Sequence, residues 1–299
     1  MRNRLLNKMT SRRGWELLFR ERLAEPLHLN LLAIPVALFG SVRAKIYFDL
    51  IVRQQHAYGL LTAADTAREY GIKKITVIEF GVASGAGLMN LCKISEMVTR
   101  ATGVAFSIVG FDTGEGLPKP VDHRDHPEYY SSGDYVMQKP DELRRILPRN
   151  VELIIGDVRD TAPEFIARKD VPPIGFVSID VDYYSSTVDS LKALDGPPEL
   201  YLPLVEVYLD DIGFPGHHPW GGELLAVNEF NEAHDLRKIS PANFLREYRL
   251  FKRAKWISHM YRLHVLDHPA RSTVKQGRVN IIGNPYTGVK HQFPKREIA

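Results

Sequence analysis

Cysteine is nearly absent: Cys92 stands alone in 299 residues. That excludes a disulfide framework and fits a reducing, cytoplasmic compartment. A long apolar run is also missing. The most apolar stretch, Leu29 to Phe39, is interrupted by Pro35 and falls short of the roughly 20 residues that cross a bilayer. It follows a charged segment with Glu16, Glu21 and Glu25, so a secretory signal is not expected. Surplus charge is lacking too, since a net +3 from 39 basic and 36 acidic residues is too mild to imply a nucleic-acid partner. No internal repeat or low-complexity tract is visible, which removes solenoid and fibrous architectures. What remains, 44% apolar and 25% charged, is a globular chain large enough for one α/β domain with additions at its ends.

The chain is organised around Ile75-Thr-Val-Ile-Glu-Phe-Gly-Val-Ala-Ser-Gly-Ala-Gly87. Ile75, Val77, Ile78 and Phe80 suit a parallel strand covered on both faces, and Gly81, Gly85 and Gly87 a tight loop that a ligand can approach closely. A helix is expected from Leu88 to about Arg100. A helix N-terminus at the carboxyl edge of a parallel sheet is where nucleotide-like cofactors bind. Dinucleotides need glycines at spacing two and then three. From Gly85 the chain supplies Gly87 and then Asn90; from Gly81, Ala83 and then Ala86. Neither register completes, which disfavours a nicotinamide oxidoreductase. Glu79, Gly81, Ala83, Ser84 and Gly85 instead resemble the first motif of class I methyltransferases, with Ala83 in place of a middle glycine. This makes them the candidate S-adenosylmethionine loop.

The first 22 residues are basic, with Arg2, Arg4, Lys8, Arg12, Arg13, Arg20 and Arg22 against Glu16 and Glu21. We read residues 1–70 as a helical extension that caps the domain or serves as a dimerisation arm. The alternative is a weak peripheral contact with an anionic membrane face. Helical patterning resumes from about Ile46 to Tyr70 and stops at Gly71; residues 71–299 form the main domain.

A second strand, Phe106 to Phe111, ends at Asp112, the expected ribose ligand, with Thr113 beside it; on the simpler reading Asp112 only initiates a turn. Residues 119–139, rich in His, Asp and Tyr, read as a substrate lid. A short helix over Asp141–Leu147 and a strand over Val151–Ile155 follow. Asp157 is the candidate for the adenine amine, and Thr161 to Glu164 read as the N-cap region of the next helix.

The fourth strand, Phe176 to Ile179, runs into Asp180-Val-Asp182-Tyr-Tyr-Ser-Ser-Thr187, and the fifth, Val205 to Leu209, into Asp210-Asp211. Alternate residues of an extended chain share a face, so the Asp180 and Asp182 carboxylates would converge. Four carboxylates at one sheet edge repel unless a cation sits among them. Asp180, Asp182, Asp210 and Asp211 are thus candidate ligands for Mg²⁺ or another hard divalent cation; the simpler reading makes them helix caps. His217 and His218, in a Gly-rich loop, are candidate bases or substrate contacts. A basic stretch from Arg237 to Lys255 suits a solvated face better than an acidic substrate, and Met260–Leu266 with Arg278–Ile282 read as an antiparallel edge hairpin.

Taken together, Glu79 to Gly85, Gly110-Phe-Asp-Thr-Gly-Glu-Gly-Leu-Pro118, Asp180 to Thr187, Asp210-Asp211 and Ala226-Val-Asn-Glu-Phe230 resemble the macrocin O-methyltransferase (TylF-type) family over about residues 75 to 235. The resemblance implies a doubly wound, mostly parallel seven-stranded α/β sheet, S-adenosylmethionine, and Mg²⁺-assisted methylation of a hydroxyl on a sugar-containing or polyol small molecule. It also implies a homodimer, with Asp180 as ligand and base and Asp210-Asp211 as the metal pair. The chain departs from the family in the Pro-rich entry to the fifth strand, Gly196 to Pro203, in the longer segment after Asp211, and in the first 70 residues. A phenol or catechol acceptor is the nearest alternative. From another class, the chain would be a membrane-surface protein holding S-adenosylmethionine structurally.

Overall fold

The computed structural model describes residues 22–214 and 216–272. At its centre is a seven-stranded sheet. Strands β1 (Lys74–Phe80), β2 (Ala105–Asp112), β3 (Val151–Ile155), β4 (Ile174–Ile179) and β5 (Tyr201–Leu209) are joined by β6 (Arg237–Pro241) and β7 (Met260–Val265), in the order β3-β2-β1-β4-β5-β7-β6. The first five pair in parallel. β7 is antiparallel to β5 and β6. This is the doubly wound, mostly parallel sheet of class I methyltransferases. The order reverses between β1 and β4, where the ends of both strands open a crevice at the carboxyl edge.

The α-helices of six residues or more among the described residues are α1 (Leu27–Phe39), α2 (Val42–Tyr47), α3 (Gln54–Glu69), α4 (Ala86–Thr102), α5 (Pro140–Ile146), α6 (Val158–Ile166), α7 (Tyr184–Leu191) and α8 (Gly222–Ala233). Two cores flank the sheet. Ile75 and Val77 of β1 join Leu60 of α3 and Leu91 of α4 on one face. Ile78 and Phe80 join Phe165, Leu191 and Phe230 of α6, α7 and α8 on the other. The split follows the two-residue period of a strand, and burial on both faces explains why β1 and β4 are mostly apolar rather than alternating. α3, N-terminal to the boundary at residue 70, forms part of the first layer.

Several expected elements shift. The single helix expected over Ile46–Tyr70 is broken between α2 and α3, where Asp49 (φ 52°) and Arg53 (φ 56°) are left-handed; the stop at Gly71 is present, with Ile72 N–H bonded to the Ala67 carbonyl at 2.8 Å. α6 starts at Val158 rather than after Thr161, because Asp157 caps it by accepting from the Arg159 amide at 2.9 Å. β5 starts at Tyr201 and carries Pro203, which the irregular register between β4 and β5 accommodates. The edge hairpin expected from Met260–Leu266 and Arg278–Ile282 is corrected. The partner of β7 is β6, in register Ile239↔Leu263, and 278–282 lies outside the described residues. The pattern of β6 is too weak to signal a strand. It is held by Asn231 of α8, whose amide accepts from Ile239 N–H at 2.6 Å and donates to its carbonyl at 2.7 Å. No helix among the described residues is long and apolar enough to cross a membrane.

Candidate functional site

The loop leaving β1 is built for close approach between parts of this chain. A Cβ at Gly81 (φ 83°) would lie 1.7 Å from the Asp180 carbonyl oxygen, so the exits of β1 and β4 touch backbone to backbone, and only glycine fits. A Cβ at Gly87 would lie 1.9 Å from Oε1 of Glu79. The Glu79 carboxyl therefore reaches into the first turn of α4. It is buried, its Oε2 has no partner, and burial pushes its pKa up to about 8, against a smaller opposing effect of Arg53. Gly85 (φ 83°) is the N-cap of α4, and Ser84 is exposed between them.

Ala83 is left-handed (φ 46°), a conformation uncommon outside glycine. Its amide donates to Asp112 Oδ2 at 2.7 Å, and Gly114 N–H donates to Oδ1 at 2.7 Å. Asp112 thus initiates the turn, as the simpler reading has it, and also couples the β1 and β2 loops. Each oxygen keeps a lone pair for a ribose hydroxyl. The Thr113 hydroxyl is engaged within its own loop, donating to the Gly116 carbonyl at 3.0 Å. Asp157, expected at the adenine, spends one carboxylate oxygen on the α6 cap.

At the ends of β4 and β5, carboxylate oxygens of Asp180, Asp210 and Asp211 lie within 4.8 Å of one another. Asp182, expected as a fourth ligand, lies outside this group of three, although its charge acts on Asp211. The extended chain ends at Ile179, and Asp182 turns left-handed (φ 60°), so the alternation that would align it with Asp180 no longer applies. Its amide donates to Asp211 Oδ2 at 3.2 Å. A carboxylate the sequence reading missed closes the site from behind. Glu223, in the first turn of α8, is buried and accepts from the Asp211 amide at 3.0 Å, while its Oε1 has no partner. Burial, then neighbouring carboxylates, push the pKa values of Asp211 and Glu223 far above the ordinary carboxylate range.

The loop 119–139, expected to be a lid, is packed rather than open. Asp125, fully buried, accepts from the Val121 amide at 2.8 Å and from the Ser185 amide and hydroxyl at 2.8 and 3.0 Å. This fastens 119–139 to the first turn of α7. Tyr130 reaches the acidic group, 3.5 Å from Asp211 Oδ1. The loop after Asp211 packs on 119–139: the His217 ring stacks on His126 at 4.7 Å and meets Tyr130 edge-on at 6.3 Å. Burial first, then His126, lowers the pKa of His217. His218, exposed, packs edge-on to His126 at 5.2 Å and beside Trp220 at 6.0 Å. Asp125, Tyr130 and His126 were visible only as members of a polar, aromatic loop, and nothing local singles them out.

No family model and no curated protein matches the chain. Among solved structures it is similar to the O-methyltransferase NovP, at 16% identity over 71% of this chain and 79% of that one, with a TM-score of 0.49. It is similar also to the calicheamicin methyltransferase CalS11, at 23% identity over 72% and 80%, TM-score 0.44. A third is the MycE methyltransferase of the mycinamycin pathway, solved with Mg and SAH, at 15% identity over 68% and 48%, TM-score 0.35.

Proposed function

We propose that the chain is an S-adenosylmethionine-dependent O-methyltransferase of the TylF type, assisted by Mg²⁺ or another hard divalent cation, acting on a hydroxyl of a sugar-containing or polyol small molecule. One observation carries the reading: the Glu79–Gly85 loop with Asp112, and the Asp180, Asp210 and Asp211 group, open at the same carboxyl edge, with Asp180 packed against Gly81. The donor sets fit both ligands. Glu79 Oε2 is a buried acceptor without a partner, suited to the ammonium of an amino-acid moiety, and Asp112 retains acceptor capacity for a ribose. Three converging carboxylates with an orphaned Glu223 oxygen behind them are a hard-oxygen set.

Once bound, the two would supply an electrophilic methyl group and a Lewis acid that lowers the pKa of the acceptor hydroxyl. The chain's own residues do the rest. The edges of the lid and of the His-rich loop carry exposed Tyr129, Phe214 and Trp220 around His217, aromatic faces on which a sugar ring stacks. Tyr130 screens the acidic group from solvent. Asp180 or His217, the latter kept neutral by its lowered pKa, accepts the hydroxyl proton as methyl transfer proceeds in line.

The test is calorimetric titration with S-adenosylhomocysteine, repeated on Asp112→Ala and compared with NAD, followed by an acceptor screen with and without Mg²⁺. Binding of the thioether nucleoside that Asp112→Ala weakens, with no NAD signal, supports the cofactor. Full turnover by Asp180→Asn and Asp210→Asn, indifferent to chelator, would overturn the metal.

A further inference from the structure

Helix α1 has the composition of a buried helix and the placement of an exposed one. Its sequence, LHLNLLAIPVALF, carries no Lys, Arg, Asp or Glu, and Ala33 is its one buried residue. Leu27, Leu31, Leu32, Ile34, Leu38 and Phe39 are 52 to 86% exposed. A helix apolar on all sides is normally covered, and monomers rarely leave a contiguous apolar patch of this kind bare.

The helix is firmly mounted. At its root, Arg22 donates to the carbonyls of Phe48 and Asp49 at 2.6 Å each and lies over the Phe251 ring at 4.1 Å. Glu25 accepts from the Arg253 amide at 2.6 Å, and Asp49 pairs with Arg249 in a buried bridge. These bonds bring the segment 246–255 against the base of α1 from some 200 residues away. They also bury two carboxylates, Glu25 and Asp49. Among the described residues, the exposed side chains of that segment include Arg246, Lys252 and Arg253 against Glu247, so its exposed charge is positive.

We propose that α1 and the basic segment 246–255 form one docking surface for an anionic lipid bilayer, with α1 lying in the interface and the basic side chains on the headgroups. At 13 residues the helix is about 20 Å long, short of the roughly 30 Å hydrocarbon core, so it lies in the interface rather than spanning it. Charge decides between occupants. A second copy docked through a two-fold contact would set the same positive surface against itself, whereas an anionic membrane complements it. The root of α1 also adjoins the segment that leads into α3. α3, which continues from this root, begins at the carboxyl edge, where His56 packs against Tyr208, the residue whose hydroxyl bonds Asp210.

The test is flotation of the full chain with phosphatidylcholine vesicles, alone and mixed with phosphatidylglycerol, at low and high salt, beside sedimentation velocity without lipid. Binding to the anionic vesicles that salt weakens is expected. Leu31→Glu/Leu38→Glu should abolish it, and Arg246→Glu/Lys252→Glu should weaken it at least about tenfold. All four positions are exposed, so both variants should melt like the parent. No vesicle binding, or binding indifferent to phosphatidylglycerol, overturns the proposal. So does a dimer that Leu31→Glu/Leu38→Glu dissolves in the absence of any vesicle binding, since a second copy would then be the occupant. None of these outcomes depends on methyl transfer.

Discussion

Asp211 is 3% exposed and feels the charges of Asp182, Asp180 and Asp210. Its raised pKa means that the metal-free fold prefers the protonated form; the stability this contributes is present at acid pH and is lost as pH rises through the folded value. Asp211→Asn removes that penalty and keeps an oxygen for the Asp182 amide. We expect its metal-free form to melt higher than the parent at pH 8, while Mg²⁺ ceases to raise its melting temperature and turnover falls at least about 100-fold. His56 has the opposite sign. Fully buried between Phe176 and Tyr208, it has a pKa lowered by burial from 6.5 to about 3. Its contribution is intact above pH 6.5 and is lost as pH falls toward 3, with a slope of up to about 1.4 kcal/mol per pH unit. Denaturant titrations across that window should show a shallower acid limb for His56→Leu. At Gly81, the 1.7 Å approach to the Asp180 carbonyl and the positive φ act together. Gly81→Ala should cost more than about 2 kcal/mol in chemical denaturation, and should weaken metal binding through the displaced β4 exit.

Among elements, the loop 119–139 depends most on one side chain. Asp125 satisfies the first turn of α7 and the Val121 amide at once, so its removal leaves buried donors unpaired. Asp125→Ala should lose about 1 to 3 kcal/mol for each donor left buried, speed proteolytic cleavage within 119–139, and raise KM more than it lowers kcat. Edge strand β6 relies in the same way on Asn231, a residue of α8 that supplies both bonds an edge strand lacks.

For the whole molecule, the glycine loop and the acidic group stand on the exits of neighbouring strands. Ligands that bind only the folded chain stabilise it by mass action. S-adenosylhomocysteine at 100 times its Kd should add about 2.7 kcal/mol, seen as a rise in melting temperature that is lost in Asp112→Ala. Mg²⁺ should add its own increment in the parent and none in Asp210→Asn.

Local pattern alone determined the order along the chain and the kind of the central strands, because burial on both faces leaves runs such as Ile75 to Phe80 with apolar and β-branched residues at every position but Glu79. It also located the glycine loop and both acidic strand ends, since the carboxyl edge of a parallel sheet collects strand exits. Tertiary structure decided which carboxylates meet. Alternation aligned Asp180 with Asp182 only on the assumption of an extended chain, and the left-handed turn at Asp182 ended it. Glu223 joined through a bond spanning 12 residues, Asp112 met Ala83 across 29, and Asp125 met Ser185 across 60. β6 became a strand because β7 and Asn231 satisfy its backbone, and α1 stands exposed on a root made by residues some 200 positions away. Periodicity reports the environment a residue needs; which distant group provides it is settled only when the chain closes on itself.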